Sequence, residues 1–246
     1  MRKASDVSRL KSRIGTVKTC PGFGARSADG DGGTSFSYKG PMLDQASSDS
    51  ANAGLDAGHD AIREAHCAVL EMAVVNSPLE KTLGALIEIV ESTSKTGVLG
   101  SILILDEDGR HLRCGAAPSL PPAYSAAIDG AEIGPCAGSC GTAAYSGKPV
   151  FVSDIATDPL WAEYKAVALP HGLHACWSTP IITSGRKVLG TFAMYHREPR
   201  EPTVRDLALV DLVTQTAALV IDRSRARTAL REIEAIAARS APAAIS

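Results

Sequence analysis

The sequence predicts an α+β sandwich, a mostly antiparallel sheet with helices on its faces, and three observations carry that prediction. Two pairs of apolar runs are each joined by a short, glycine-containing connection, so each pair reads as a β-hairpin. Segments with helical apolar spacing lie before and between the hairpins. A long helical pattern then closes the chain. Hairpins separated by helices favour antiparallel pairing, since parallel strands would need a crossover after every strand.

The elements follow in order. Residues 1–58 are rich in Ser, Gly and Asp, as in ADGDGGTSFSYKG and QASSDSANAG. So little apolar area cannot offset the entropy of ordering, and disorder is expected there. Order is expected from Ala61, where AIREAHCAVLEMAVV puts Ile62, Ala65, Val69 and Met72 on one helical face. His66 and Cys67 in this helix read as a surface imidazole beside a small core thiol. In NSPLEKTLGALIEIVE, Ser77 reads as N-cap, Pro78 opens the first turn and Glu80 completes a capping box. Leu79, Leu83, Leu86, Ile87 and Val90 supply the buried stripe.

GSILILD and RHLRCGAA then flank Asp106-Glu107-Asp108-Gly109 as the first hairpin. PSLPPAYSAAIDG reads as a Pro-rich crossover with one helical turn, and PVFVSD as a short strand. ATDPLWAEYKAVAL is expected to be one helix, capped by Asp158 with Pro159 at its first position. CWSTPIITSGRKVLGTFAMYH reads as two long strands joined at Ser184-Gly185. The last helix should run from about Thr203 to Arg239, with SAPAAIS fraying after it.

Composition narrows the function. Of the 246 residues, 45% are hydrophobic and 21% charged, with a formal net charge of −2. That balance fits an ordinary soluble protein and argues against a nucleic-acid partner. No apolar run approaches the roughly 18 residues a membrane span needs. Arg2, Lys3, Arg9 and Lys11 precede no apolar stretch, so no secretory signal is expected. Six scattered cysteines fit a reducing compartment, and a cytoplasmic location is expected.

The chemistry concentrates in GPCAGSCGTAAYSGKPVFVSDI, residues 134–155. Cys136 and Cys140, with His171, His174 and Cys176, lack the tight ligand pairs of a structural zinc site, so no metal is expected. The glycines do not fit a phosphate-cradling G-x-x-x-x-G-K-[ST] loop. Cys140 precedes a predicted helix start, where a thiol pKa can fall; the competing reading makes Cys140 and Cys176 inert packing residues. Trp161 and Tyr164 are three residues apart and share a helical face, while Trp177 lies in a strand beside Cys176. Apolar and aromatic walls with a few polar anchors describe a small-molecule pocket, with Ser139, Ser153, Asp154, His174 and Thr179 as candidate anchors. Packing of both tryptophans in the core stays open, as does which face of strand 174–182 lines the pocket.

Two stripes run along the last helix. Leu207, Val210, Thr214, Ala217 and Ile221 should cover the sheet. Leu209, Leu212, Thr216, Leu219, Arg223, Ala226, Leu230, Ile233 and Ala237 form a second stripe with 3-4 spacing. A monomer needs only one, so a homodimer through helix 203–239 is expected.

Three blocks together resemble a GAF domain: GSILILDEDGRHLRCGAAPSLPPAYSAAIDG, IGPCAGSCGTAAYSGKPVFVSDIATDPLW and HGLHACWSTPIITSGRKVLGTFAMYHREPREPT. The likeness is to GAF domains that precede histidine kinases and cyclic-dinucleotide enzymes in bacterial signalling proteins. It implies an antiparallel sheet of five or six strands, and a ligand pocket between one sheet face and the crossover segments. It also implies sensing rather than catalysis. Family members usually sit beside an output domain and none is visible in this sequence, so a histidine kinase or other output protein is expected in trans. The expected organisation is a disordered segment 1–58, a GAF domain 59–227, and a helical extension with frayed tail 228–246. The expected ligand site comprises Ser139, Cys140, Ser153, Asp154, Trp161, Tyr164, His174, Cys176, Trp177 and Thr179. The ligand or cofactor itself stays unnamed.

Departures from the family pattern matter too. No kinase, cyclase or helix-turn-helix motif is visible, and His66-Cys67 lies outside the block where bilin-holding members carry their cysteine. Free methionine-R-sulfoxide reductases share a Cys-Gly-Thr-like block at Cys140. Their other essential cysteines have no counterpart in DPLWAEYKAVALPHGLHA. A reductase of that kind, and a ligand-less dimerisation scaffold, stand as the alternative readings.

Overall fold

The computed structural model describes residue 63 and residues 66–94 and 97–240. The expected disorder of 1–58, the face positions Ile62 and Ala65, and the frayed tail lie outside the described residues.

Residues 66–74 form helix α1. It ends in a Schellman arrangement: Asn76 adopts φ 61°, and the Ser77 N–H returns to the Met72 carbonyl at 3.0 Å. Ser77 is thereby committed to ending α1, which corrects its expected role as the next helix's N-cap. Pro78 takes that place, extended at ψ 138°, ahead of helix α2 at Leu79–Thr93, and no side chain caps this start. Leu83, Leu86, Ile87 and Val90 are buried as the stripe predicts, with Leu79 packed at its edge. His66 and Cys67 exchange their expected places. Cys67 is exposed, whereas His66 is half-buried and meets the Thr216 hydroxyl at 2.6 Å.

Strands β1 (Leu99–Leu105), β2 (His111–Ala116), β3 (Ala131–Glu132), β4 (Val150–Val152), β5 (Ala175–Ile182) and β6 (Val188–His196) form one antiparallel sheet, in the order β3-β2-β1-β6-β5-β4. The β1–β2 turn closes at Gly109, φ 69°, as its sequence predicts. In the β5–β6 connection the left-handed residue is Arg186, φ 63°, rather than Gly185. Thr183 holds that turn: its carbonyl accepts the Arg186 N–H and its hydroxyl accepts the Lys187 N–H. At the sheet centre a Cβ on Gly190 would lie 2.0 Å from the Leu103 carbonyl oxygen, so only glycine permits the β1–β6 approach there.

Helix α3 (Pro122–Ile128) occupies the crossover with two turns rather than the one expected. Helix α4 (Gly138–Ser146) follows β3. The single helix expected over ATDPLWAEYKAVAL is split into a 3₁₀ turn at Pro159–Trp161, a short helix α5 at Lys165–Ala168 and a second 3₁₀ turn at Leu169–His171. Asp158 does cap the first piece, its Oδ1 accepting the Leu160 N–H at 2.8 Å. The Trp161, Tyr164 and Val167 amides bond three residues back. That tighter pitch brings residues three apart into line, and so aims Trp161 and Tyr164 the same way.

Period-2 alternation divides the core. Ile102, Trp177, Ile181, Phe192 and Met194 pack from the sheet against α2 and helix α6 (Val204–Ser240). Cys176, Ala193 and Tyr195 face the other way, toward α4 and the crossovers. Helix α6 opens on a capping box in which Thr203 and Asp206 bond reciprocally. Val210, Thr214, Ala217 and Ile221 are buried on the sheet as predicted, but Leu207 is exposed because it precedes the region of contact. The second stripe is also divided. Leu209 packs on the core and Thr216 is buried against His66 of α1, so this half already has a partner. Leu219, Leu230 and Ile233, at 59%, 56% and 63% exposure, do not. No helix among the described residues is long and apolar enough to cross a membrane.

Candidate functional site

The start of α4 is the centre of the site. Its glycines and small residues allow the chain to run close beneath the 158–171 crossover. Gly138 takes φ 61°, and a Cβ there would already touch the Trp161 indole at 3.7 Å. The next residue, Ser139, is fully buried and joins three elements. Its hydroxyl accepts the Trp161 Nε1–H at 3.0 Å and donates to the Cys176 carbonyl at 2.9 Å. Crossover, helix and β5 are therefore fastened by one side chain whose donor and acceptor capacities are both used.

A cavity of about 40 Å³ opens beside this junction. That is room for about three water molecules, so an occupant must be small or must displace the crossover. Leu103, Leu112, Ile128 and Val167 form apolar wall, while Ser139, Cys140, Trp161, Tyr164 and Tyr195 bring polar groups to its edge. Tyr195 stands edge-on to Tyr124 at 5.6 Å, and Tyr124 to His171 at 6.0 Å. Burial pushes both phenols well above their ordinary pKa.

Cys140 lies on the cavity wall with its sulfur 3.8 Å from the Tyr195 hydroxyl. The Cys176 thiol, then the Ser178, Tyr195 and Thr191 hydroxyls, favour its thiolate and bring its pKa down to about 7 against the opposing effect of burial. Cys176, completely buried, is pushed up by desolvation and by the neighbouring sulfur. Among the described residues no three His, Cys, Asp or Glu side chains gather to hold a metal ion.

Of the ten expected site residues, the fold brings Ser139, Cys140, Trp161 and Tyr164 to the cavity, with Cys176 directly beneath Cys140. It does not bring the other five there. Trp177 faces the opposite side of the sheet, 4.1 Å from the His196 ring, and Thr179 shares that face by alternation. The Asp154 carboxylate turns inward on its own loop, accepting from the Ala156 N–H and the Thr157 hydroxyl. Ser153 offers its carbonyl to the Arg200 N–H at 3.0 Å. His174 contributes backbone pairing, its carbonyl accepting the Ile155 N–H and its N–H bonding the His196 carbonyl. Tyr195 and Tyr124 were not expected. The signal for Tyr195 was its register opposite Cys176, which requires knowing how β5 and β6 pair.

A second junction lies at the root of α6. Arg200 places its guanidinium 5.2 Å from the Trp177 ring centroid and bonds Asp206 at 3.2 Å, while its carbonyl accepts the Trp177 Nε1–H.

Comparison with known proteins agrees with this architecture. A region of 166 residues, 68% of the chain, is 38% identical to the methyl sulfide methyltransferase-associated sensor of Methanosarcina acetivorans, of which it spans only 16%. Two solved structures share the fold. One is the domain of a two-component sensor histidine kinase protein from Sinorhizobium meliloti 1021, at TM-score 0.52 and 23% identity, covering 63% of this chain and 98% of that one. The other is the free methionine-R-sulfoxide reductase of Neisseria meningitidis in complex with its substrate, at TM-score 0.51 and 17% identity, covering 68% and 91%. The family model for the GAF domain matches residues 76–222, well over half of the sequence, and the chain belongs to the GAF domain family.

Proposed function

We propose that this chain is a non-catalytic sensory module that binds a small molecule between α4 and the 158–171 crossover, and passes its occupancy to α6. The observation that carries the reading is the cavity's position on the Trp161–Ser139–Cys176 hydrogen-bond chain. An occupant that displaces Trp161 pulls on Ser139 and so on β5. The crossover begins at β4, whose following residue Ser153 is tied to Arg200 and hence to the capped start of α6. The names of the archaeal relative and of the histidine-kinase neighbour support a sensory role for such a domain.

Output is proposed to run through a parallel homodimer formed by the free half of the α6 stripe, or through a separate protein such as a histidine kinase. Leu219, Leu230 and Ile233 are the apolar contacts available for this, and Ile236 is exposed beside them at 56%. Native mass spectrometry of the purified full-length chain tests both halves of the reading, since it reports a retained small molecule and the oligomer together. Truncation after Arg227 leaves the sheet-covering part of α6 in place and should convert dimer to monomer. An unchanged dimer refutes the α6 interface, and absence of any retained or added small-molecule ligand across a metabolite screen refutes the binding site.

One observation favours a second reading. Cys140 places a pKa-lowered thiol on the cavity wall, and the Neisseria neighbour is a reductase of free methionine-R-sulfoxide. Turnover of that substrate with a dithiol, lost in Cys140→Ser, would establish it; no turnover retires it.

A further inference from the structure

We propose that Cys140 and Cys176 form a peroxide-responsive thiol pair, with Cys140 the sulfur attacked and Cys176 the thiol that resolves it into a disulfide. Four features of the fold lead there. Cys140 is the third residue of the nine-residue helix α4, within the first turn whose N–H groups lack helical partners and favour negative charge. Beneath it, alternation and register put Cys176 and Ser178 of β5 and Thr191 and Tyr195 of β6 on one face of the sheet, Cys176 opposite Tyr195. Ser178 and Thr191 are completely buried, and their hydroxyls have no partner within hydrogen-bond distance among the described residues. Buried hydroxyls without partners are costly, and these two stand on the sheet face toward which Cys140 packs. Of these groups the Tyr195 hydroxyl stands 3.8 Å from the Cys140 sulfur, and together with Cys176, Ser178 and Thr191 it favours the Cys140 thiolate. Finally, Cys140 opens on the cavity whereas Cys176 does not, so a small oxidant meets one sulfur first.

The steps balance. The Cys140 thiolate attacks one oxygen of hydrogen peroxide and the O–O bond breaks. The departing hydroxide takes a proton and leaves as water, and Cys140 becomes a sulfenic acid. The Cys176 sulfur then attacks the Cys140 sulfur; the S–OH bond breaks, and hydroxide leaves as water with the Cys176 proton. Two thiols and one peroxide give one disulfide and two waters, and a dithiol reductant restores the pair by exchange. Since Ser139 donates to the Cys176 carbonyl, drawing the two sulfurs together bears directly on the Trp161 anchor.

The test is a hydrogen peroxide titration of the reduced full-length chain at pH 7, read by differential alkylation and peptide mass spectrometry. Cys114 is the internal control: it is exposed, but partial burial and Asp129 raise its pKa. At pH 7 a thiol brought from 9 to about 7 carries about fifty times more thiolate. Lower intrinsic nucleophilicity returns about eightfold of that, leaving Cys140 about six times faster than an ordinary thiol. Expected is a peptide cross-linked between Cys140 and Cys176, forming before Cys114 is lost, and accumulation of a dimedone-trapped Cys140 sulfenic acid in Cys176→Ser. Consumption of Cys140 no faster than Cys114 overturns the proposal, as does oxidation of Cys140 without loss of Cys176. The native-protein titration decides the matter even if the variant fails to fold. The inference relies on the ligand cavity only for access, and the titration contains no ligand. An inert pair therefore leaves the binding reading standing, and a failed ligand screen leaves the pair standing.

Discussion

Replacing Ser139 by alanine should be the most informative single change to the site. Its hydroxyl is completely buried, accepts the Trp161 indole N–H at 3.0 Å and donates to the Cys176 carbonyl at 2.9 Å. Alanine fits the same space, so little packing is lost, but the indole N–H is left without its acceptor. An orphaned buried donor costs about 1–3 kcal/mol, and loss of the second bond adds about 1 kcal/mol. A total of about 2–4 kcal/mol in a domain of this size lowers Tm by roughly 4–16 °C. Calorimetry or circular dichroism measures the shift. A double-mutant cycle then isolates the cause, since Trp161→Phe removes the donor that Ser139→Ala strands. The two losses should be less than additive by about 1 kcal/mol. A Tm unchanged within about one degree, or strictly additive losses, would refute the claim that Ser139 fastens the crossover to β5.

Three further outcomes follow from the same geometry. Alkylation of Cys140 by a small neutral reagent should rise with pH through a midpoint near 7, because the reactive thiolate is present above its pKa of about 7; a midpoint near 9 would mean that the surrounding donors do not act on it. His196, buried against Trp177 and beside Arg200, has its pKa lowered to about 4, by desolvation first and by Arg200 second. Its unfolded value is 6.5, so the unfolded chain binds more protons between these values, and stability should fall as pH drops from 6.5 toward 4. His196→Asn should flatten that dependence in a thermal-melt series, and an unchanged slope would remove His196 as its source. Gly190→Ala drives a Cβ to within 2.0 Å of the Leu103 carbonyl oxygen, and should prevent accumulation of folded protein or separate β1 from β6. Normal melting of that variant would disprove the close approach.

What could be read from the sequence is what local chemistry decides. The two hairpins, the Asp158 cap and the α2 stripe depend on residues within a few positions of one another, and the fold contains each of them. The Ser77 cap was misjudged because one serine stood between two helices, and the Schellman ending of α1 uses its amide first. The crossover helix divided because the 3₁₀ pitch lets Trp161 and Tyr164 reach the cavity together, a demand made by α4 and not by the segment itself. The second α6 stripe reads as one partner surface in the sequence, but spacing could not tell that α1 already meets it at Thr216 and again at Arg223, whose guanidinium bonds the Val74 carbonyl. Likewise two tryptophans looked equivalent in the sequence. Only the side on which α2 and α6 pack decides that Trp177 belongs to the helices and Trp161 to the cavity.

That division of the tryptophans bears on how a site on one face of a sheet can govern a helix on the other. Cys176 and Trp177 are consecutive residues of β5 and face opposite ways. The carbonyl of Cys176 receives the Ser139 hydroxyl from the cavity side. The indole of Trp177 donates to the Arg200 carbonyl on the helix side, and Arg200 holds Asp206 in the first turn of α6. A pull on α4 therefore reaches the root of α6 across one residue boundary, with no need to deform the sheet. The planar peptide makes that boundary stiff: rotating the Cys176 carbonyl turns the Trp177 N–H with it. Ser153, bonded to the Arg200 N–H, adds a second attachment of the crossover to the same residue. Arg200→Ala keeps both backbone bonds and removes only the guanidinium link to Asp206 and the Trp177 ring. It should therefore leave the cavity, the α4 start and Cys140 alkylation as they are while loosening the first turn of α6. If the proposed signalling through α6 holds, any ligand or oxidant effect on the oligomer should weaken in this variant although the site still responds; an undiminished effect would remove the Arg200–Asp206 link from the route.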